Sequence, residues 1–296
     1  MPFTRRRFLQ TTVAALVSTP AVTLAKREEP HADVSGLLGV TTGSFMRNLT
    51  VQPQPGKLRL LDLPQIMRDE LGMRVIDLMT ATLASFEPRY LESLRAKAEK
   101  ANCLLTNLKM NQRGLDMGSP DAAKRKKALD EYKRTIDAAA RLGCRWVRPL
   151  PLSKRPDIDS YVAAYRELID YARPKGISLL VENFGWMQDD PEAIPNMIRR
   201  VGKGLDASPD TGNWTNEARY GGLEKAFPLA VTCDFKAKQM GPKGEHAAYD
   251  LKRCFDIGRQ AGFKGPWCFE HANADLKEVL REMGLLRDML TGWMKA

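Results

Sequence analysis

Short apolar runs rich in β-branched residues alternate along this chain with longer segments whose apolar residues recur every three or four positions. From Leu37 onward the alternation repeats eight times. Runs of the first kind predict buried strands, and segments of the second kind predict helices that cover a parallel sheet. The eight predicted strands span residues 37–42, 74–79, 103–109, 146–150, 178–183, 204–209, 230–236 and 266–270.

The clearest helical spacing lies in residues 121–142 and 158–173, and a glycine follows the end of several predicted helices, as at Gly143 and Gly176. Eight strand and helix units in about 260 residues match the size of one closed barrel. We therefore predict an α/β fold, a single-domain (β/α)8 TIM barrel over residues 37–296. Residues 48–57, rich in Gln and Pro, predict a long loop after the first strand that could cover the barrel mouth.

The N-terminus has the features of an export signal. Arg5 and Arg6 precede Phe8, a short apolar stretch follows, and small residues end at Ala25. This pattern predicts a twin-arginine signal peptide over residues 1–25 and a flexible tail over residues 26–36. We therefore expect the twin-arginine export machinery to deliver the chain to the periplasm or the extracellular space. The apolar stretch is much shorter than the roughly 20 residues that span a bilayer, so we expect no stable membrane span in the mature form.

Composition and charge add little that is specific. The chain is 43% apolar and 28% charged, which is ordinary for a globular protein with a sizeable core. The formal net charge is +10, and three arginines within the first 25 residues contribute part of it. The one dense basic run, Lys124-Arg125-Lys126-Lys127, lies early in a predicted helix. A solvated helix face is the favoured interpretation there, rather than a nucleic-acid patch.

The chain has five cysteines, an odd number. Four of them lie in or beside apolar strand-like runs: Cys103, Cys144, Cys233 and Cys268. An odd count within apolar runs favours buried thiols over a disulfide framework.

Acidic residues stand at or near the carboxyl ends of the last four predicted strands. They are Glu182, Asp210, Asp234 and Glu270. In a TIM barrel these strand ends form the active-site face. Converging carboxylates repel one another, and a bound divalent cation is the simplest compensation. An all-oxygen set favours Mn or Mg, with Co or Zn as further possibilities. For any single acid, a surface position or a salt bridge to a lysine is the alternative.

The residues around these acids resemble the motifs of a known family. The segments look like the fifth to eighth strand motifs of the sugar phosphate isomerase/epimerase family of xylose isomerase-like TIM barrels; they are Val181-Glu182-Asn183, Asp210-Thr211-Gly212-Asn213, Asp234-Phe235-Lys236 and Phe269-Glu270-His271. The layout is similar from Leu37 to the C-terminus, and the specific motifs lie in the second half.

This resemblance implies one divalent metal ion, commonly Mn, Mg or Co in the family, held by Glu182, Asp210 and Glu270. Asp234 occupies the fourth ligand position, where the family usually has a histidine two residues before a lysine. That departure bears on which metal binds and on whether a metal is retained. The resemblance also implies that Glu182 and Glu270 are the catalytic acid and base, which transfer a proton at the sugar carbon beside a carbonyl that the metal polarises.

Other polar and aromatic residues near the strand ends are candidates for substrate binding. They are Lys109, Arg148, Trp186, Asn213, Lys236 and His246. The cationic residues could bind a substrate oxygen or could counter the acid cluster. Trp186 could stack on a sugar face or cap the core. Strand alternation points His271 away from the metal and favours a hydrogen bond in the helix layer.

The leading functional hypothesis is a metal-dependent isomerase or epimerase that acts on a carbohydrate. Export favours free sugars, oxidised sugars or glycosides over sugar phosphates. A metal-dependent lyase or hydratase acting on keto-sugars or keto-glycosides would use the same groups and is one alternative. A non-catalytic carbohydrate-binding barrel is another, because of Asp234. A barrel endonuclease with a histidine-rich metal cluster does not fit a chain with three histidines.

Overall fold

The computed structural model describes residues 31–112, 114–151 and 154–296. The predicted signal peptide, residues 1–25, lies outside the described residues, as does the part of the predicted tail up to residue 30.

Eight parallel strands form one sheet. They are β1 (Leu38–Thr41), β2 (Val75–Met79), β3 (Leu104–Met110), β4 (Trp146–Pro149), β5 (Ser178–Val181), β6 (Leu205–Ala207), β7 (Cys233–Lys236) and β8 (Trp267–Glu270). The strand order is β6-β5-β4-β3-β2-β1-β8-β7, and isolated bridges from Ala207 to Ala230 and from Asp210 to Asp234 join the two ends of the sheet. Each predicted strand is present, which confirms the predicted α/β barrel.

Helices follow the strands and cover the outside of the sheet. They are α1 (Leu63–Ile66), α2 (Pro88–Lys100), α3 (Ala122–Leu142), α4 (Ile158–Ala172), α5 (Ala193–Val201), α6 (Arg219–Ala226), α7 (Leu251–Gln260) and α8 (Leu276–Lys295). Asp121 caps α3 by accepting hydrogen bonds from two backbone amides, and Asp157 caps α4 in the same way with one. Gly143 ends α3 at a φ of 78°, a left-handed conformation that glycine adopts without steric cost.

The barrel interior has an apolar lower layer and a charged upper layer. Val34, Trp146 and Leu180 form a small buried cluster at the amino ends of the strands. Because side chains two residues apart share a face of a strand, Arg148 and Glu182 lie above Trp146 and Leu180 on the same inner face. The larger apolar core lies between the strands and the helices.

Val34 belongs to the segment predicted as a flexible tail. Residues 32–36 pack against the amino-terminal end of the barrel: the Gly36 amide donates to the Lys264 carbonyl at 3.0 Å, and Arg145 donates to the Ala32 carbonyl at 2.5 Å. This part of the tail therefore closes the bottom of the barrel.

The loop after β1 folds back on itself at the rim of the barrel mouth. The Thr50 amide donates to the Leu58 carbonyl at 2.9 Å, and the Leu58 amide donates to the Asn48 carbonyl at 3.0 Å. The Asn48 side chain donates to the Ala274 carbonyl at 3.0 Å, which fixes the base of the loop to the segment after β8. Residues 51–56 at the tip are exposed.

The basic run on α3 and the cysteines lie as the sequence predicts. Three lysines of the dense basic run are exposed on α3, and Lys126 pairs with Asp130 at 2.6 Å. All five cysteines are buried and free, which confirms the prediction of buried thiols. Within the described residues, no helix is both long enough and apolar enough to cross a bilayer.

His271 connects the end of β8 to α8. Its Nε2 atom lies 2.6 Å from a carboxylate oxygen of Glu282, and its Nδ1 atom lies 3.1 Å from the Ala237 carbonyl oxygen. Both side chains are buried, and Asn273 donates a further hydrogen bond to Glu282 at 3.1 Å. The expected hydrogen bond of His271 in the helix layer is therefore confirmed.

We predict that the native thiols are unreactive at pH 8. Burial raises the pKa of Cys103 to about 11 and that of Cys254 to about 12, and it raises the pKa of the other three thiols as well, so little thiolate forms. Titration with a disulfide reagent should detect no thiol in native protein and five in denaturant. Rapid modification of a thiol in the native protein would contradict the buried arrangement.

We predict that Glu282→Ala lowers the free energy of unfolding by about 3 kcal/mol, because it leaves the buried Nε2 atom of His271 without its carboxylate partner. Glu278→Ala is the matched control on the same helix. The Glu278 side chain is 44% accessible to solvent and pairs with Arg281, so its loss should cost about 1 kcal/mol or less. Urea unfolding of the two variants and the wild type measures both losses of unfolding free energy. Equal losses would show that the buried pair stabilises the fold no more than a surface ion pair does.

Candidate active site

The predicted acids meet at the carboxyl ends of the strands. Glu182 follows β5, Asp210 follows β6, Asp234 lies within β7 and Glu270 ends β8. Glu182, Asp210 and Asp234 are buried, and each offers a carboxylate oxygen that lies within 4.8 Å of the other two. These three residues form the acidic triad. Glu270 is partly exposed and is not a member of this group.

Neighbouring backbone and amide groups fix the orientation of Asp210. Its backbone amide donates to the Asn183 side chain at 2.8 Å, and the Asn183 amide donates back to the Asp210 carbonyl at 2.9 Å. The amides of Gly212 and Asn213 donate to one carboxylate oxygen of Asp210 at 2.7 and 3.1 Å. The other oxygen is thereby left to face the site.

A cationic side chain contacts each of the acids. Lys109 on β3 donates to Asp234 across the barrel, and both side chains are fully buried. The Arg148 Nε atom lies 2.5 Å from a Glu182 oxygen. The Lys236 ammonium lies 2.6 Å from Glu270 and 3.3 Å from Asp210. Asn213 joins the two halves, because its amide nitrogen donates to Glu182 at 2.8 Å and its oxygen accepts from Lys236 at 3.2 Å.

Burial and mutual repulsion shift the pKa values of the carboxylates. Burial raises the pKa of Asp210 to about 6, Lys236 opposes this shift, and the charges of Glu270 and Glu182 reinforce it. Burial raises the pKa of Asp234 well above its usual range despite the attraction of Lys109. Burial would also raise the pKa of Glu270, but the charges of Lys236, Lys109 and Arg148 together outweigh it, so that pKa is lowered.

The lysines of the site stay charged. Burial alone would lower the pKa of Lys109, yet Asp234 and the deeper carboxylate Asp77 raise it overall. The carboxylates of Asp210 and Glu270 likewise raise the pKa of Lys236 against the effect of burial. The carboxylates outnumber the cations in this part of the described structure, so the cluster attracts further positive charge.

A buried oxygen identifies the place where that charge would bind. One oxygen of Asp234 is inaccessible to solvent and has no hydrogen-bond partner, whereas both oxygens of Glu182 are contacted, one by the Arg148 guanidinium and the other by Asn213. Both acids belong to the acidic triad. A buried carboxylate oxygen without a partner is costly, and a hard divalent cation supplies the missing interaction. The donor set of the triad therefore fits a divalent metal ion with a preference for oxygen ligands.

A cavity of about 710 Å³ opens at the carboxyl ends of the strands, and Glu182 lines it, whereas Asp210 and Asp234 are not among its lining residues. Six of the predicted site residues line it: Lys109, Arg148, Glu182, Asn213, Lys236 and Glu270. This volume is within the usual range for a small-molecule site. The cavity therefore brings both predicted acid/base residues and four predicted substrate-binding residues to one surface.

Trp186 and His246 are not among the residues that line this cavity. Trp186 lies in a short 3-10 helix after β5, and the Arg155 guanidinium lies 5.2 Å from its ring centre. The His246 Nε2 atom accepts from the Lys238 amide at 2.8 Å, and its Nδ1 atom lies 2.8 Å from the Tyr249 carbonyl oxygen. His246 thus holds the loop after β7 in place.

Several residues that contribute to the site were missed by the sequence reasoning. Asn111 follows β3 and lines the cavity, as Phe184 does after β5, so the strand-end rule could have identified both. Tyr249 and Arg219 had no sequence signal. The Tyr249 hydroxyl donates to the Lys236 carbonyl at 2.5 Å, and the Arg219 guanidinium stacks 3.9 Å above the Tyr249 ring. These two residues support the backbone that carries Lys236.

Structures similar to this chain include sugar epimerases. An L-ribulose 3-epimerase has a TM-score of 0.71 and 14% identity over 88% of this chain and 95% of the other. A D-psicose 3-epimerase from Clostridium cellulolyticum H10, solved with D-tagatose, has a TM-score of 0.68 and 13% identity over 87% and 98%. A barrel protein from Mycobacterium smegmatis, solved in complex with magnesium, has a TM-score of 0.62 and 18% identity over 87% and 97%. At such identities the similarity shows the fold.

No curated protein matches this sequence. The family model described as "Xylose isomerase-like TIM barrel" matches residues 69–289, which include strands β2 to β8. The matched region contains the acidic triad and Glu270. The chain therefore belongs to the xylose isomerase-like TIM barrel family.

Proposed function

We propose that this protein is a metal-dependent enzyme that isomerises or epimerises a carbohydrate by moving a proton at the carbon beside a carbonyl. One observation carries the proposal: Glu182, a member of the acidic triad just after β5, and Glu270, at the end of β8, line the same cavity. Epimerases among the structural neighbours support the choice of reaction class.

The two glutamates are held by different partners. Arg148 and Asn213 contact Glu182, whereas Lys236 contacts Glu270. Two fixed carboxyl groups on two sides of a substrate are suited to remove a proton and to return one, provided that one acts as the base and the other carries the proton to be donated. In this scheme one glutamate accepts the proton and the other donates one, so epimerisation results when the two act on opposite faces of the same carbon.

The acidic triad would hold the divalent ion, which when bound supplies polarisation of the substrate carbonyl. Its ligand atoms are all carboxylate oxygens, so Mg or Mn fits the site better than Zn. Lys109 keeps Asp234 in place from the opposite side of the barrel. Asp234 stands at the fourth ligand position of the motif, where the resembling family usually has a histidine.

The charges of the cavity favour a carbohydrate without phosphate. Lys109, Arg148 and Lys236 are the cationic residues among the described residues that line it, and each already contacts a carboxylate. A phosphate would therefore have to displace one of these pairs. The proposed export by the twin-arginine pathway agrees with this choice, because free sugars and glycosides occur outside the cytoplasm.

One observation favours a second candidate function, a non-catalytic carbohydrate-binding barrel. Three cations contact all four acids of the site, so much of the mutual repulsion is relieved by the protein itself. A barrel that used only these pairs would bind a sugar in the cavity and would neither need a metal nor exchange a substrate proton. Metal content and proton exchange distinguish the two functions.

We predict about one Mn or Mg per chain by elemental analysis of protein purified without chelator. Glu182→Gln should weaken Mn binding in calorimetry by about 100-fold or more, because it replaces a charged carboxylate ligand of the triad by a neutral amide. Glu192→Gln is the control, since Glu192 pairs with Lys225 on the surface. Wild-type protein that contains no metal and does not bind added Mn or Mg would refute the enzyme and favour the binding barrel.

We predict that the metal-loaded enzyme exchanges the proton beside the carbonyl of a keto-sugar with solvent deuterium. Glu270→Gln should slow this exchange by about 10² to 10⁴-fold through loss of an acid/base group. It should retain the metal, because Glu270 contacts Lys236 and is not a member of the triad. Proton NMR of a panel of ketohexoses in D₂O measures the rates. Exchange at the wild-type rate in Glu270→Gln would exclude Glu270, and elimination products in place of exchange would identify a lyase.

A further inference from the structure

A second cavity adjoins the candidate active site. It has a volume of about 370 Å³ and lies between the loop after β1, the loop after β2 and the start of α2. Met46 and Ala81 line both this cavity and the larger one of the candidate active site. A molecule whose sugar ring occupies the larger cavity therefore has a neighbouring space beside it for a substituent.

The walls of this second cavity are mainly apolar. Its apolar lining residues include Met46, Leu49, Val51, Leu60, Leu83 and Tyr90. Two of them are unusually exposed for apolar side chains, with 47% of Met46 and 63% of Val51 accessible to solvent. An apolar cluster open to water in this way is typical of a ligand-binding surface.

The cavity also lacks the features of a second sugar or anion site among its described lining residues. Arg59 is its one charged residue, and its guanidinium donates two hydrogen bonds of 2.8 Å to Asp62. Three of its four hydroxyl residues already have partners in the protein: Tyr90 accepts from the Ala84 amide at 3.4 Å, Thr82 donates to the Met79 carbonyl at 2.8 Å, and Ser85 accepts from the Glu87 amide at 3.0 Å, while Thr50 is the fourth. A charged or hydroxyl-rich group would find few partners there, whereas an aromatic or alkyl group would find apolar contacts.

We infer that the substrate is a keto-glycoside, in which a carbon of the sugar ring carries the carbonyl that the reaction requires, and that its apolar aglycone occupies this second cavity. The inference rests on the proposed function, because the larger cavity must bind the sugar. The occupant is an uncharged aryl or alkyl group attached to a carbohydrate, and a free monosaccharide would leave the apolar cavity unfilled.

Calorimetry with pairs of phenyl and methyl glycosides of the same sugar tests the inference, using both anomers of glucosides, galactosides and xylosides as analogues that lack the carbonyl and do not react. The metal-loaded wild-type protein should bind the phenyl member about tenfold more tightly, since tenfold corresponds to burial of roughly 60 Å² of apolar surface. The double variant V51D/A84D places two charges at exposed lining positions and should remove the preference without changing the affinity for the methyl glycoside.

Phe86→Asp is the matched control, because Phe86 is an exposed apolar residue of the same loop that does not line the cavity. Equal affinity for the phenyl and methyl members would overturn the inference and leave the proposed function standing. A preference that persists in V51D/A84D would overturn the assignment of the cavity. Failure of every glycoside and every free sugar to bind would overturn the proposed function together with this inference.

Discussion

The ion pair between Lys109 and Asp234 is the constraint on which the interior of this barrel depends. The pair joins β3 to β7, which lie four strands apart in an eight-stranded barrel and therefore face each other across it. Both side chains are fully buried, and either charge alone would be very costly in that position. A substitution of either residue alone would leave the charge of the other buried and unpaired. The pair thus fixes the interior directly beneath the substrate cavity.

The remaining charges of the site are arranged around this pair, and their arrangement sets limits on a metal. Lys236 lies between Asp210 and Glu270, so it competes with a cation for the oxygen of Asp210 that faces the site. The Glu182 oxygen is likewise contacted by Arg148, and one oxygen of Asp234 is left without a partner. Under the proposed function, a divalent ion would therefore bind through this Asp234 oxygen and would have to compete with Arg148 and Lys236 for the oxygens of Glu182 and Asp210.

The fold was predictable because its causes are local in the sequence. Apolar runs, helix caps such as Asp121 and glycine at helix ends such as Gly143 determine each element within a few residues, and all eight strands were found. The four acids were found by their position at strand ends. The ion pairs were not assigned, because Lys109 and Asp234 are 125 residues apart and only the closed barrel determines which residues face each other. The positions of Trp186 and His246 depend on loop conformations that periodicity does not encode.

The two halves of the barrel contribute different parts of the substrate site. Strands β5 to β8 carry the acids, with their spacing fixed by the sheet and by the partners that each acid requires. The loops after β1 and β2 carry the apolar surface, and no buried charge constrains their sequence. Loops on a fixed scaffold change more freely than the strands that support them. Under the proposed function, the reaction is therefore set by acids in the second half of the chain, whereas the choice of substrate depends on cavity-lining residues between positions 46 and 90, all of which precede the strand motifs that resemble the family.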